Sequence, residues 1–86
     1  MTLSLKIRYF ASIRESIGKA EECLQVGNPT SLTELRGLLI GLGGGYAEAL
    51  ARNRTVRCAV NQTMVDETES LTNGCEVAFF PPVTGG

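Results

Sequence analysis

The amino-acid sequence predicts a small α+β domain in which one main helix packs on a mixed β-sheet. Residues 3–9 alternate between apolar and polar side chains, which is typical of a strand with one buried face. Leucines in residues 32–42 recur at the spacing of one helix face. Short apolar runs at 56–60, 63–65 and 75–80 are separated by turn residues and predict three more strands. The length of 86 residues favours one domain, 1–86.

The first third of the chain predicts a hairpin with a helical insert. Leu3 to Tyr9 forms the first strand, with its odd-numbered residues facing the core. Ala11 to Ile17 is a short helix that Gly18 ends. Alternation resumes from Glu22 to Val26 and predicts a second strand lying beside the first.

The main helix is expected over residues 32–42. Ser31 or Thr30 can cap it, and Glu34 follows Ser31 at the spacing of a capping box. The residues expected on its buried face are Leu32, Leu35, Leu38, Leu39 and Leu42.

The remaining connections follow from turn residues. Gly43 to Gly45 is expected to end the main helix, and Tyr46 to Arg52 adds a short helical turn. The glycine cluster from Gly41 to Gly45 is expected to be a flexible connector to the next strand. A phosphate-binding loop is disfavoured there, because the glycines follow a helix and no Lys-Ser/Thr pair follows them. Asn61-Gln62 predicts a tight turn, and 71–74 carries an Asn-Gly turn signal.

Composition excludes several functional classes. With no histidine, the chain holds neither a His-activated nucleophile nor a His-ligated metal. A net charge of −1 argues against nucleic-acid or membrane binding, and we expect neither a signal peptide nor a membrane span. The odd number of cysteines, Cys23, Cys58 and Cys75, disfavours a disulfide framework, so each is expected to be a small buried hydrophobe in a reducing compartment.

The last eight residues, 79–86, combine a strand end, two prolines and a final diglycine. The plain interpretation is a frayed terminus. However, Pro81 and Pro82 stiffen the exit, and an extended 81–86 tail would reach about 20 Å at roughly 3.3 Å per residue. Such a tail could thread a channel in another protein and present the unhindered carboxylate of Gly86.

These motifs resemble a known family. The ending Phe79 to Gly86, the turn Ala59-Val60-Asn61-Gln62 and the opening Arg8-Tyr9-Phe10-Ala11 look like the small subunit of molybdopterin synthase, the MoaD family of sulfur carriers. The resemblance covers essentially the whole chain and implies a ubiquitin-like β-grasp fold. It departs from the family pattern in the glycine-rich stretch 41–55.

The resemblance also implies a function. A MoeB-like adenylating enzyme would use ATP to activate Gly86, supported by Gly85, and a sulfurtransferase would then convert it to a thiocarboxylate. The MoaE-like large subunit would take the tail, and the sulfur would pass to cyclic pyranopterin monophosphate. A heterotetramer of two large and two small subunits, a cytoplasmic location, and no bound cofactor or metal are the further expectations.

A docking surface is expected beside the tail. Phe10, Met64 and Phe80 fall on nominally polar strand faces, with Arg8 and Arg57 as rim charges. The alternative is that a strand buried on both faces holds these apolar residues. Tail contacts would come from Pro81, Pro82, Val83 and Thr84.

Other functions fit a diglycine ending. A ThiS-like carrier for thiazole synthesis would share the chemistry, although the 79–84 stretch argues against it. A ubiquitin-like modifier would end in isopeptide linkage to lysine. A plain β-grasp interaction module would carry no modification.

Overall fold

Five strands form one mixed sheet in the order β2-β1-β5-β3-β4. The computed structural model describes residues 2–27 and 30–82. The strands are β1 (Thr2–Tyr9), β2 (Glu21–Gly27), β3 (Arg57–Val60), β4 (Thr63–Val65) and β5 (Glu76–Phe80). The helices are α1 (Ala11–Ile17), α2 (Leu32–Ile40) and α3 (Gly44–Ala49).

The predicted hairpin with a helical insert is confirmed. Strand β1 pairs antiparallel with β2, and its odd-numbered residues Leu3, Leu5, Ile7 and Tyr9 are buried. Gly18 ends α1 in the left-handed conformation with φ of 88°. On its other side β1 runs parallel to β5, which makes the sheet mixed as predicted.

The main helix is capped as predicted but ends earlier. The Ser31 side chain accepts a hydrogen bond from the backbone of Glu34, and the Glu34 side chain accepts one from the backbone of Ser31, which completes the capping box. Helix α2 ends at Ile40, not at residue 42. Leu32, Leu35 and Leu39 are buried among the core residues, which close one face of the sheet.

Two leucines predicted in the core are exposed. The exposed fractions are 55% for Leu38 and 59% for Leu42. The prediction failed because Gly41 already caps the helix, so that Leu42 is no longer on a helical face, and because Leu38 lies on the outer side. Arg36, which is only 3% exposed, donates hydrogen bonds to the carbonyl oxygens of Leu50, Ala51 and Arg54.

The glycine cluster is part of a helix and not a loose connector. Gly43 precedes α3 with φ of 76°, and Gly44 and Gly45 are its first residues. A Cβ on Gly45 would lie 1.9 Å from the backbone oxygen of Ser16, so that helices α1 and α3 approach each other too closely for any side chain at this position. The helical turn predicted over Tyr46 to Arg52 is thus displaced: helix α3 begins at Gly44 and ends at Ala49.

The cysteines divide into two groups. Cys58 and Cys75 are buried in the core as predicted, whereas Cys23 is exposed because it lies on the outer face of edge strand β2. All three are free thiols. Burial raises the pKa of the Cys58 thiol to about 11, because the thiolate would lose its hydration there.

In the described part of the chain, no helix has the length and apolarity to cross a membrane. Residues 2–27 and 30–82 also contain no group of three or more side chains able to hold a metal ion.

Candidate functional site

The sheet has one face covered by the helices and one outer face with apolar side chains near the end of β5. On this outer face, one row of side chains runs straight across four of the strand pairings. Its members, in order from β2 to β4, are Glu21, Arg8, Ala78, Ala59 and Met64. The row shows that residues from distant parts of the sequence meet on one surface.

Phe10, Phe80 and Met64 lie on this face, and we call them with Arg8 the docking patch. The rings of Phe10 and Phe80 meet edge to face with centroids 6.4 Å apart. The exposed fraction is 37% for Phe10 and 53% for Met64, and Phe80 is half-buried. A strand buried on both faces does not account for these residues, because they are accessible from the outer side. Their role in binding a partner stays a prediction.

Arg8 is held by groups on three sides. Its guanidinium carbon lies 5.2 Å from the centroid of the Phe10 ring, in a cation–π arrangement. Its nitrogens lie 3.8 Å from a carboxylate oxygen of Glu21 and 4.0 Å from one of Glu76. The positive charge of Arg8, which was predicted at the rim of the docking surface, is therefore paired with carboxylates of this chain.

Arg57 lies on the same face but beside the patch. It pairs with Phe80 across β3 and β5, and its exposed side chain borders a separate hollow together with Asp66, Glu67 and Glu69. The structure thus places Arg57 at the margin and brings Arg8, Phe10, Met64 and Phe80 together.

The β3–β4 turn positions Met64. Asn61 and Gln62 have φ of 49° and 68°, the positive values of both central residues that a tight hairpin turn of this kind needs. The Asn61 backbone N–H donates to the Glu76 carbonyl at 2.8 Å, and the Asn61 side-chain oxygen accepts from the Glu76 backbone at 3.0 Å. These two bonds hold the turn against β5, and the pairing of β3 with β4 places Met64 opposite Ala59.

A part-buried network of hydrogen bonds lies behind the patch on the core side of the sheet. Tyr9 stacks on Phe79 with centroids 6.4 Å apart, and these two residues directly precede Phe10 and Phe80 in the sequence. The hydroxyls of Tyr9 and Tyr46 both donate to one carboxylate oxygen of Glu22, at 2.6 Å and 2.7 Å. Desolvation of the phenolate, together with the adjacent carboxylate, raises the pKa of Tyr9 well above its usual range.

Glu22 itself stays ionised. Burial alone would raise its pKa, but the two tyrosine hydroxyls and the nearby Lys19 ammonium stabilise the carboxylate and hold the pKa below its ordinary value. The network joins β1, β2 and α3 behind the aromatic end of the sheet.

The chain leaves the sheet at Phe80, and Pro81 and Pro82 follow it, both half-buried. The predicted tail residues Val83, Thr84, Gly85 and Gly86 lie outside the described residues. Sequence reasoning missed the part that Ala59 and Gln62 take in the outer face. The one feature of the sequence that could have indicated this was the small side chain of Ala59 at the start of the Ala59 to Gln62 turn motif.

Comparison with known proteins identifies the family. The model of the ThiS family matches residues 7–86. The molybdopterin synthase sulfur carrier subunit of Escherichia coli (strain K12) is 40% identical over 82 residues, covering 95% of this chain and 99% of the relative. The subunit of the same name from Haemophilus influenzae is 37% identical over 83 residues, with 95% and 99% covered.

Solved structures agree in fold. The protein–protein complex of subunits 1 and 2 of molybdopterin-converting factor from Helicobacter pylori contains a chain that is 26% identical with a TM-score of 0.63, covering 98% of this chain and 100% of that one. The crystal structure of SAMP1 from Haloferax volcanii, 24% identical with a TM-score of 0.76 over 96% of this chain and 99% of that one, shows the fold alone. Both are ubiquitin-like β-grasp structures, as predicted. The chain therefore belongs to the ThiS family and, within it, to the MoaD-type relatives named molybdopterin synthase sulfur carrier subunit.

Proposed function

We propose that this chain is the sulfur-carrying small subunit of a molybdopterin synthase, and that it serves as a co-substrate and not as the catalyst. The observation that carries this proposal is the similarity to sulfur carrier subunits over nearly the full length, with the family model extending to Gly86. The absence of histidine is in keeping with it, because the acid–base groups must then come largely from the partners.

The proposed chemistry takes place at the Gly86 carboxylate. A carboxylate oxygen attacks the α-phosphorus of ATP on a MoeB-like adenylating enzyme, and pyrophosphate leaves. The persulfide of a sulfurtransferase cysteine then attacks the acyl carbon, and AMP leaves to give an acyl disulfide. A second thiol cleaves its S–S bond by forming a disulfide with the sulfurtransferase cysteine, so that a thiocarboxylate remains on Gly86. Activation is needed because a free carboxylate is a poor acyl donor, whereas an acyl-adenylate has a good leaving group.

The tail that carries the thiocarboxylate then inserts into a MoaE-like large subunit and gives its sulfur to cyclic pyranopterin monophosphate. The dithiolene of molybdopterin contains two sulfurs, and each thiocarboxylate supplies one. More than one sulfur-loaded small subunit is therefore consumed for each molybdopterin formed. We place the reaction in the cytoplasm, in a heterotetramer of two large and two small subunits. The solved complex of subunits 1 and 2 from Helicobacter pylori supports a large-subunit partner.

The docking patch supports the same proposal. Phe80 is the last residue of β5, so the exposed aromatic pair lies where the tail begins. A partner that covers the patch would also contact Pro81 and Pro82, where the tail begins. Val83 and Thr84 are the proposed tail contacts within that partner.

Deletion of Gly85 and Gly86 tests the proposal. We expect the truncated chain to keep the fold, because both residues follow the last strand, and to lose all molybdopterin synthesis in a reconstituted reaction. The reaction contains the adenylating enzyme, a sulfur source, the large subunit and the pterin precursor. We expect the truncated chain to give the same circular dichroism spectrum as the wild type and to form no molybdopterin. Synthesis by the truncated chain would disprove the role of Gly86.

A further inference from the structure

The turn before β5 contains the sequence Asn73-Gly74, which has no part in the proposed function. Both residues are exposed, and Gly74 has φ of 82°, a value that glycine adopts without strain. When glycine follows asparagine, its backbone nitrogen can readily attack the side-chain amide, because glycine has no side chain to hinder the approach. The turn therefore combines a reactive pair with access to water.

The start of β1 holds both of the groups that would react. The Ser4 backbone N–H donates a hydrogen bond to the Asn73 side-chain oxygen at 2.7 Å. The Gly74 backbone N–H donates one to the Ser4 carbonyl oxygen, also at 2.7 Å. A single residue thus binds both the amide that would be attacked and the nitrogen that would attack it.

These two bonds oppose the reaction. The Gly74 nitrogen becomes a nucleophile only after it loses its proton, and that proton is held in the bond to Ser4. The negative nitrogen would then face a carbonyl oxygen 2.7 Å away, and two negatively charged atoms at that distance repel each other. The second bond restricts the rotation of the Asn73 side chain.

The turn is anchored on both sides, but its contact with Ser4 lies beyond the end of a ladder. Leu71 and Cys75, which flank the exposed part of the turn, are buried. The parallel pairing of β1 with β5 begins only at Lys6 and Glu76. Local opening at such an end costs less free energy than global unfolding. The contact with Ser4 can therefore open while the rest of the sheet stays intact.

We propose that Asn73 is a deamidation site, which Ser4 keeps closed in the folded chain and which opens when the turn separates from β1. Hydroxide or a buffer base then takes the Gly74 amide proton, and the nitrogen attacks the side-chain carbonyl carbon of Asn73. A carbon–nitrogen bond forms, the bond from that carbon to the side-chain nitrogen breaks, and this nitrogen takes up a proton and leaves as ammonia.

Water then opens the resulting succinimide ring at one of its two carbonyl carbons, which leaves an aspartate or an isoaspartate at position 73. Either product adds a negative charge to the turn. The isoaspartate also lengthens the backbone just ahead of β5, the strand that leads into the tail.

The rate of deamidation in the folded and the unfolded chain tests the proposal. The full chain is incubated at mildly alkaline pH with and without urea, and intact mass and peptide mapping follow the replacement of an amide by a carboxyl group. We expect the folded chain to react at Asn73 at least about tenfold more slowly than the unfolded chain. Asn53 is the control within the chain: arginine follows it, so it should react more slowly than Asn73 in urea.

Ser4→Pro tests the residue that closes the site, because proline removes the N–H and keeps the carbonyl. We expect the folded variant to deamidate about fivefold faster than the wild type, which corresponds to the loss of one hydrogen bond. Thr2→Pro is the matched control, since it places proline two residues earlier in β1 and leaves the Ser4 N–H in place. Circular dichroism and urea unfolding show whether each variant is folded and how stable it is.

Hydrogen exchange of the Gly74 amide in the wild type gives a second measurement if Ser4→Pro does not fold, and we expect this amide to be protected. Equal deamidation in the folded and the unfolded chain, or unprotected exchange at Gly74, would overturn the closed site. So would a wild-type rate in folded Ser4→Pro, or equal acceleration by both proline variants. An unfolded chain that stays unmodified at Asn73 would overturn the site itself. These measurements need no partner protein, so their outcome is independent of the proposed sulfur transfer.

Discussion

At the scale of single residues, Glu22 connects the core to the end of the sheet that carries the docking patch. One of its carboxylate oxygens accepts hydrogen bonds from Tyr9 and Tyr46, and the other lies 3.4 Å from the Lys19 ammonium. Hydrogen bonds to an ionised acceptor are stronger than those between neutral groups. Glu22 therefore stabilises the fold more strongly when its carboxylate is charged than when it is protonated.

The lowered pKa of Glu22 makes part of the stability depend on acid. The folded state favours the carboxylate, so the contribution is present above the ordinary pKa of 4.5 and is lost as the pH falls through the lowered value. We expect Glu22→Gln to lose about 1 kcal/mol of unfolding free energy at neutral pH and to show a flatter decline as the pH falls through and below 4.5. Urea unfolding at a series of pH values measures both effects.

Glu15→Gln is the control, because Glu15 is exposed on α1 outside this network. It should keep the acid dependence of the wild type. Parallel stability curves for Glu22→Gln and the wild type would show that the network contributes nothing that depends on charge.

At the scale of elements, the contact between α1 and α3 depends on a missing side chain. A Cβ at Gly45 would lie 1.9 Å from the oxygen and 2.7 Å from the carbonyl carbon of Ser16, and backbone atoms cannot rotate away as a side chain does. Tyr46, the next residue, reaches Glu22. A shift of α3 would therefore disturb the Glu22 network as well.

We expect Gly45→Ala to lower the unfolding free energy by about 2 to 3 kcal/mol, because the helices must move apart. Gly37→Ala is the matched control within a helix. A Cβ there meets only the end of the Arg52 side chain at 3.1 Å, which can move, and alanine favours the helix by about 1 kcal/mol. Thermal unfolding followed by circular dichroism compares the two. Equal stability of Gly45→Ala and Gly37→Ala would contradict the close helix contact.

The elements that could be predicted are those with local causes. Alternation in Leu3 to Tyr9 fixes the face of β1, and the spacing of Ser31 and Glu34 fixes the start of α2. The role of Gly45 could not be predicted, because its neighbour Ser16 lies in a different helix far away in the sequence. Exposure of Leu38 was missed because the leucine spacing alone suggested a wider apolar face than the sheet covers.

The same distinction applies to the candidate site. Phe10, Met64 and Phe80 could be assigned to an outer face from the alternation within each strand. The row of side chains across the outer face could not be predicted, because it requires Ala59 to lie opposite Ala78, and their pairing is set by the register of two strands.

At the scale of the whole molecule, the two sides of the sheet serve different purposes. One side packs on the helices through the leucines of α2, and the other leaves aromatic side chains accessible next to the tail. Stability and partner binding should therefore respond to different substitutions.

We expect Phe80→Asp to lower the affinity for the large subunit about tenfold or more while changing the unfolding free energy by about 1 kcal/mol or less. Leu42→Asp is the control, since Leu42 is 59% exposed just beyond α2 on the helical side of the sheet. It should leave the affinity unchanged. Unfolding of Phe80→Asp at ambient temperature would assign Phe80 to the core and contradict the docking patch.

Gly86 is proposed to carry the sulfur, and the intact mass of the chain distinguishes the loaded from the unloaded form. The chain is incubated with a MoeB-like adenylating enzyme, ATP and a sulfur source, and then weighed by electrospray mass spectrometry. We predict a rise equal to the replacement of one oxygen by one sulfur, located at Gly86 by fragmentation and absent without ATP. An unchanged mass in the complete reaction would contradict the claim.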